Sequence, residues 1–218
     1  MLRGLRSFII TLFTPLARLL LALRVSPDAV TIAGTVVVTV VALTLLPTGH
    51  TLVGGLLLGF FVLFDSLDGL MARMAGRSGP WGAFLDSTLD RVSDGAVFAG
   101  ITLWFVLHPD EHHGLWGISA ALACLVLGSV VPYARARAES VGATAQVGIA
   151  ERADRLLLAL VPITFMQVGL PVVVLEVMLT LLALASLVTV FQRIATVRAQ
   201  LTRRMVPPRD DPPAGQGA

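Results

Sequence analysis

The chain has 218 residues, 56% of them hydrophobic and only 14% charged, and its mean hydropathy is +0.84. Soluble domains carry about 25% charged residues, so this composition excludes an ordinary soluble fold and points to an integral membrane protein. The single cysteine excludes an intrachain disulfide, and all sixteen basic residues are arginine.

The first 24 residues, "MLRGLRSFIITLFTPLARLLLALR", set Arg3 and Arg6 ahead of an apolar run, as a signal peptide does. Pro15 and Arg18 interrupt that run, and no small-residue cleavage site follows. The segment reads as a basic amphipathic helix lying on the cytoplasmic membrane surface.

Six apolar segments long enough to cross a bilayer follow, at 28–47, 52–73, 82–107, 115–138, 153–168 and 171–198. Each has a continuous core of Leu, Val, Ile, Ala and Phe, not the alternation of a barrel strand. The expected fold class is all-α: a polytopic membrane protein whose six transmembrane helices occupy residues 25–204. A Pro- and Gly-rich tail over 205–218 reads as disordered.

Arginine is absent near 47–51, 108–114 and 167–171 and concentrated in the N-terminus, the 73–81 loop, the 135–155 loop and the region after Arg193. An even number of spans with positive loops inside gives that alternation. Both termini are therefore expected on the cytoplasmic side of a cell membrane.

The first span opens with "VSPDAVTIAG", which has Pro27 at an early helical position and Asp28 and Thr31 three apart. On its own this is an ordinary helix start with an acidic first turn. The second and third spans are joined through "FDSLDGLMARMAGRSGPWGAFLDSTLDRVSD". Asp65 and Asp68 stand three apart and Asp86 and Asp90 four apart, so each pair shares one helix face. A short Gly- and Ser-containing connection lets the two helices pack antiparallel and brings four carboxylates together.

Ionised carboxylates in a bundle interior are costly, and the remedies are raised pKa values, basic partners or bound cations. Two divalent ions would balance four carboxylates, and an all-oxygen donor set favours Mg²⁺, Mn²⁺ or Ca²⁺ over zinc. Gly69 and Gly82 would let a flat ligand approach the backbone, or serve helix packing through small residues. Arg73 and Arg77 could fork onto phosphate oxygens or mark topology. Asp94, two turns beyond Asp86, has no assigned role.

Further along, "HPDEHH" lacks a helical ligand spacing, so His108, His112 and His113 read as loop residues, and Cys124 reads as a small packing residue. The stretch "PYARARAESVGATAQVGIAERADR" places Arg135, Arg137, Arg152 and Arg155 on the cytoplasmic side, where Arg193 can return from the last span. Arginines converging there suit an anionic ligand carrying a phosphate; on counting alone they serve topology and attraction to anionic lipid.

Asp65-x₂-Asp68-Gly69-x₂-Ala72-Arg73-x₈-Gly82-x₃-Asp86-x₃-Asp90 resembles the complete signature of the CDP-alcohol phosphotransferases. The resemblance implies displacement of CMP from a CDP-linked lipid by an acceptor alcohol. It implies two metal ions, Mg²⁺ or Mn²⁺, on Asp65, Asp68, Asp86 and Asp90, with Asp90 also the base. CDP-diacylglycerol would be contacted by Asp28, Thr31, Gly69, Arg73, Arg77, Ser78 and Gly82.

"YARARAESVG" followed by "GIAERADR" is similar to the actinobacterial phosphatidylinositol-phosphate synthases of that family. This implies inositol 1-phosphate as acceptor, with Arg137, Arg152, Arg155 and Arg193 as candidates for its phosphate. A homodimer in a lipid bilayer, with no nucleic-acid partner, completes the expectation. Glycerol 3-phosphate, giving phosphatidylglycerophosphate, remains an alternative acceptor. A cation transporter or proton relay would need carboxylates near midbilayer on broken helices, whereas these cluster at a cytoplasmic end.

Overall fold

The computed structural model describes residues 13–64, 66–76, 79–111, 113–149 and 152–205. Asp65, Arg77 and Ser78, which the sequence reading assigns to the site, lie outside the described residues, as do His112, residues 1–12 and residues 206–218. No strand occurs among the described residues.

Helix α1 covers Phe13–Ala22. It is followed by α2 (Pro27–Thr44), α3 (Thr51–Phe64), α4 (Ser66–Met74) and α5 (Pro80–Leu107), then a 3₁₀ turn at Pro109–Glu111, α6 (Leu115–Ser140), α7 (Arg152–Met166) and α8 (Val172–Met205).

The helices close a ring. Helix α2 packs on α5, α5 on α6, α6 on α8, α8 on α7, α7 on α3, and α3 again on α2. Its centre is filled by Leu58, Val97, Ile101, Phe105, Leu160, Ile163, Leu175 and Leu179, all buried. Close approach of the helices depends on small residues: a Cβ on Gly100 would collide with the backbone of Ala42, and one on Gly117 with the ring of Phe105. Packing through small residues is how helices associate where lipid removes the hydrophobic drive between them.

Four helical runs are long and apolar enough to cross a membrane: Pro27–Thr44, Thr51–Met74, Leu115–Ser140 and Val172–Arg203. The expected six are thus not all evident from length and composition, for two physical reasons. The first half of α5 carries Asp86, Asp90, Arg91 and Asp94, which leaves a short apolar stretch before His108. Helix α7 has 15 residues and opens on Arg152, Asp154 and Arg155.

The N-terminal segment is helical from Phe13, and one face of it is packed inward. Ala17 is buried with Leu67, Leu70 and Met71 of α4, and the Phe13 and Phe64 rings meet edge to face with centroids 5.2 Å apart. Arg18 and Leu19 stay exposed on the other face, so α1 braces the element that carries Asp68.

Candidate active site

The start of α2 is built as its sequence suggests. Ser26 caps the helix by accepting from the Ala29 N–H at 3.2 Å, and Pro27 occupies the first turn, where its missing N–H costs nothing. This fixes the two side chains that follow. Thr31 Oγ1 donates to Asp68 Oδ2 at 2.5 Å, and Asp28 Oδ2 accepts from the Trp81 indole N–H at 3.0 Å. The first span is thereby tied to both signature helices.

Helices α4 and α5 do not close on one another as the expected antiparallel pair. Each packs principally on α2, and a cavity of about 450 Å³ opens beside them, bordered by Asp28, Thr31, Asp68, Gly69, Arg73 and Gly82, with Asp86 and Trp81 also in its wall. The signature thus frames a ligand-sized space.

The two signature glycines face that space. Among the described residues, a Cβ on Gly82 would meet nothing within 4 Å, and one on Gly69 would meet only Arg73 Nη1, at 3.5 Å. Neither glycine serves packing between described helices, and their open side suits approach of a ligand to the backbone.

Next to the cavity lies a narrower space of about 40 Å³, bordered by Thr31, Asp68, Ser93 and Arg152. Thr31 and Asp68 border both spaces. Here the charges pair. Arg152 Nη1 stands 2.9 Å from Asp90 Oδ1, and its Nε donates to Asp94 Oδ1, also at 2.9 Å. Arg91 Nη2 is 3.6 Å from both carboxylates, and Arg155 Nη2 is 3.8 Å from Asp94 Oδ2.

Asp94, without a role on sequence grounds, is therefore the buried centre of an arginine cluster, at 5% exposed. Its spacing from Asp90, one helical turn, was the available signal; Arg152, its nearest partner, lies 58 residues away, on α7.

The acceptor arginines are brought together unequally. Arg155 is buried behind Arg152 and donates to the Gly128 carbonyl at 3.4 Å. Arg91, Arg152 and Arg193 all stand within electrostatic reach of it. Arg193 also fastens the loop after α6, donating to the carbonyls of Val147 and Val131. Arg137 is exposed and donates to Ser140 Oγ at 3.2 Å, while Arg135 pairs with Glu139 at 3.1 Å.

The loop itself begins where Gly142 takes a left-handed φ of 74°, a conformation suited to glycine at a helix C-terminus. Gln200, not singled out in the sequence, clamps it by accepting from Thr144 N at 2.9 Å and donating to Thr144 O at 2.8 Å.

Among the described residues no three His, Cys, Asp or Glu side chains form a ready-made metal site; Asp65, the fourth signature carboxylate, lies outside that set. Asp68 and Asp86 nevertheless border one cavity. Hard carboxylate oxygens without imidazole or thiolate are the donors that Mg²⁺ and Mn²⁺ take, so the residues present fit such an ion.

An all-helical apolar bundle whose acidic, glycine-lined cavity adjoins an arginine cluster has the chemical make-up of a membrane-embedded enzyme for phosphate-linked substrates. The chain belongs to the CDP-alcohol phosphatidyltransferase family, which it matches over residues 24–190.

Phosphatidylinositol phosphate synthase of Streptomyces avermitilis is 44% identical over 201 residues, covering 89% of this chain and 81% of that protein. A crystal structure of the Mycobacterium tuberculosis phosphatidylinositol phosphate synthase with CDP-DAG bound is similar at a TM-score of 0.79 and 43% identity, over 85% of this chain and 92% of that one. A second structure of the M. tuberculosis protein, in complex with manganese and citrate, matches at a TM-score of 0.78 and 40% identity, over 94% and 96% of the two chains.

Proposed function

We propose that this protein transfers the phosphatidyl group of CDP-diacylglycerol to a hydroxyl of inositol 1-phosphate, releasing CMP, in a reaction that depends on a divalent metal ion. The observation that carries the reading is the placing of Asp68, Gly69, Arg73, Gly82 and Asp86 around one cavity, with Asp90 paired to Arg152, which borders the adjoining narrow space. The names of the relatives and the CDP-DAG and manganese of the M. tuberculosis structures support it.

The cavity is large enough for a nucleotide headgroup. Asp28, Thr31 and the open backbone at Gly69 and Gly82 line the part that would receive the cytidine, and Arg73 lies beside Gly69 where it can fork onto phosphate oxygens. Asp68 and Asp86, together with Asp65 and Asp90, would hold two Mg²⁺ or Mn²⁺ ions. Such ions, when bound, neutralise the diphosphate and the charge that develops on the leaving phosphate.

The protein's own residues then carry the transfer. Asp90 takes the proton from the acceptor hydroxyl. The hydroxyl oxygen forms a bond to the phosphorus of the phosphatidyl group as the bond from that phosphorus to the CMP oxygen breaks, so no covalent intermediate on the protein is needed. Arg152, 2.9 Å from Asp90, is the arginine best situated to receive the acceptor's phosphate while its hydroxyl meets the base.

Six spans belong to this reading, because α5 and α7 each complete the ring between helices that are long and apolar. So do cytoplasmic termini, supported by the distribution of arginine, and the homodimer that the family resemblance implies. The test is acceptor-dependent release of CMP by the purified protein. Release at the same rate without any acceptor contradicts direct transfer to an alcohol.

A further inference from the structure

Asp94 lies outside the aspartate signature, yet three arginines surround it. Its Oδ1 accepts from Arg152 Nε at 2.9 Å, and Oδ2 has Arg91 Nη2 at 3.6 Å and Arg155 Nη2 at 3.8 Å. The dependence runs both ways. Arg155 is itself 5% exposed, and its Nε is buried without a hydrogen-bond partner among the described residues. Asp94 is the carboxylate to which that buried guanidinium is paired.

A guanidinium is planar and presents its N–H groups in a rigid fork. Arg152 commits Nε to Asp94 and Nη1 to Asp90, and two bonds from one plane fix both its position and its tilt. The directions of its remaining N–H groups then follow from where the two carboxylates stand on α5. Arg152 also borders the narrow space shared with Asp68 and Thr31.

We infer that Asp94 is a positioning residue for the acceptor: it holds Arg152, with Arg155 packed behind, so that the site for the acceptor's phosphate is set at a fixed distance from Asp90. The ligand class so recognised is a phosphate monoester of a polyol, selected by the separation between its phosphate and its reacting hydroxyl. Asp94 touches no substrate and acts through Arg152. The inference rests on the proposed function in taking a phosphorylated alcohol as acceptor.

The test compares initial rates of full-length wild type, Asp94→Asn, Arg152→Gln and the double variant in lipid–detergent micelles with CDP-diacylglycerol and Mg²⁺. Removing a residue that supports a metal ligand typically costs about 10–100-fold; Asp94 supports Arg152 in the same way, so the acceptor KM of Asp94→Asn is expected to rise by that order, with the KM for CDP-diacylglycerol unchanged. The double variant is expected to be no worse than Arg152→Gln alone, since the two residues act as one unit. Fully additive losses, or an unchanged acceptor KM, overturn the inference.

Should Asp94→Asn fail to accumulate as folded protein, Asp94→Glu keeps the charge beside Arg155 and displaces the carboxylate by one methylene. It must then raise the acceptor KM selectively; an equal change in both KM values, or none, overturns the inference. Wild type assayed in parallel with inositol 1-phosphate and glycerol 3-phosphate separates the questions. Whichever acceptor wild type uses decides the proposed function, the variants with that acceptor decide the role of Asp94, and a wild type that uses neither overturns both.

Discussion

Arg152 stands with Nη1 2.9 Å from Asp90 Oδ1, so the residue proposed as base and the arginine proposed to bind the acceptor's phosphate form one ion pair. The pair is partly exposed, with 24% of the Arg152 side chain and 16% of the Asp90 side chain accessible. The pairing holds Asp90 beside the narrow space that Arg152 borders.

Replacing Asp90 by Asn keeps the size of the side chain and removes its ability to take a proton. Loss of a general base typically costs about 10²–10⁴-fold in rate, and that fall in kcat is expected with CDP-diacylglycerol still bound. Single-turnover rates together with equilibrium binding of the lipid nucleotide check it.

Gly82 and Gly100 are expected to fail in opposite ways. Gly82 opens onto the cavity with nothing near its missing side chain, so Gly82→Leu fills ligand space without disturbing a packed helix; CDP-diacylglycerol affinity falls by roughly tenfold or more through steric exclusion, and Tm holds. Gly100 faces the Ala42 backbone, so Gly100→Ala overpacks the α2–α5 contact and costs about 1–3 kcal/mol of stability. Thermal unfolding beside activity per folded molecule separates the two.

Chelation of divalent metal is expected to abolish turnover, and either Mg²⁺ or Mn²⁺ to restore it, because the donors are carboxylate oxygens. Thr31→Val removes the hydrogen bond that orients Asp68, worth about 1 kcal/mol. The metal concentration giving half-maximal activity is therefore expected to rise roughly fivefold. Titration of metal into chelator-treated wild type and variant measures both.

The opposite end of the bundle supplies a control. Glu176 is fully buried on α8 and accepts from the backbone N–H of His113 at 3.0 Å, with the His113 ring nitrogen Nδ1 2.6 Å from its other oxygen. His113→Ala leaves that carboxylate short of a partner and is expected to cost about 1–3 kcal/mol of stability. Activity per folded molecule should be unchanged, since His113 lies beyond the far end of α5 from Asp86 and Asp90.

These contrasts also show what was legible before any coordinates. The aspartate pairs, Asp28 with Thr31, and the glycines were readable because helical spacing alone puts them on shared faces; the structure sets Asp28, Thr31, Asp68, Gly69, Gly82 and Asp86 around one cavity, while Asp90 pairs with Arg152 outside its wall. Asp94 was not readable: a carboxylate one turn past a signature acquires meaning only from Arg152 and Arg155, which the ring of helices brings to it. His113 is the loop residue its sequence suggests, but its pairing with Glu176, 63 positions away, was not readable. Spans at α5 and α7 are not evident from length and composition, because hydropathy and the charges of the site compete within one helix.

The identity of the acceptor decides which phospholipid this protein makes. Full-length protein in liposomes, given CDP-diacylglycerol, Mg²⁺ and equimolar inositol 1-phosphate and glycerol 3-phosphate, will reveal it in the masses of the lipids formed. Phosphatidylinositol phosphate is the predicted product, in step with CMP; phosphatidylglycerophosphate, or CMP without any new phospholipid, contradicts the account.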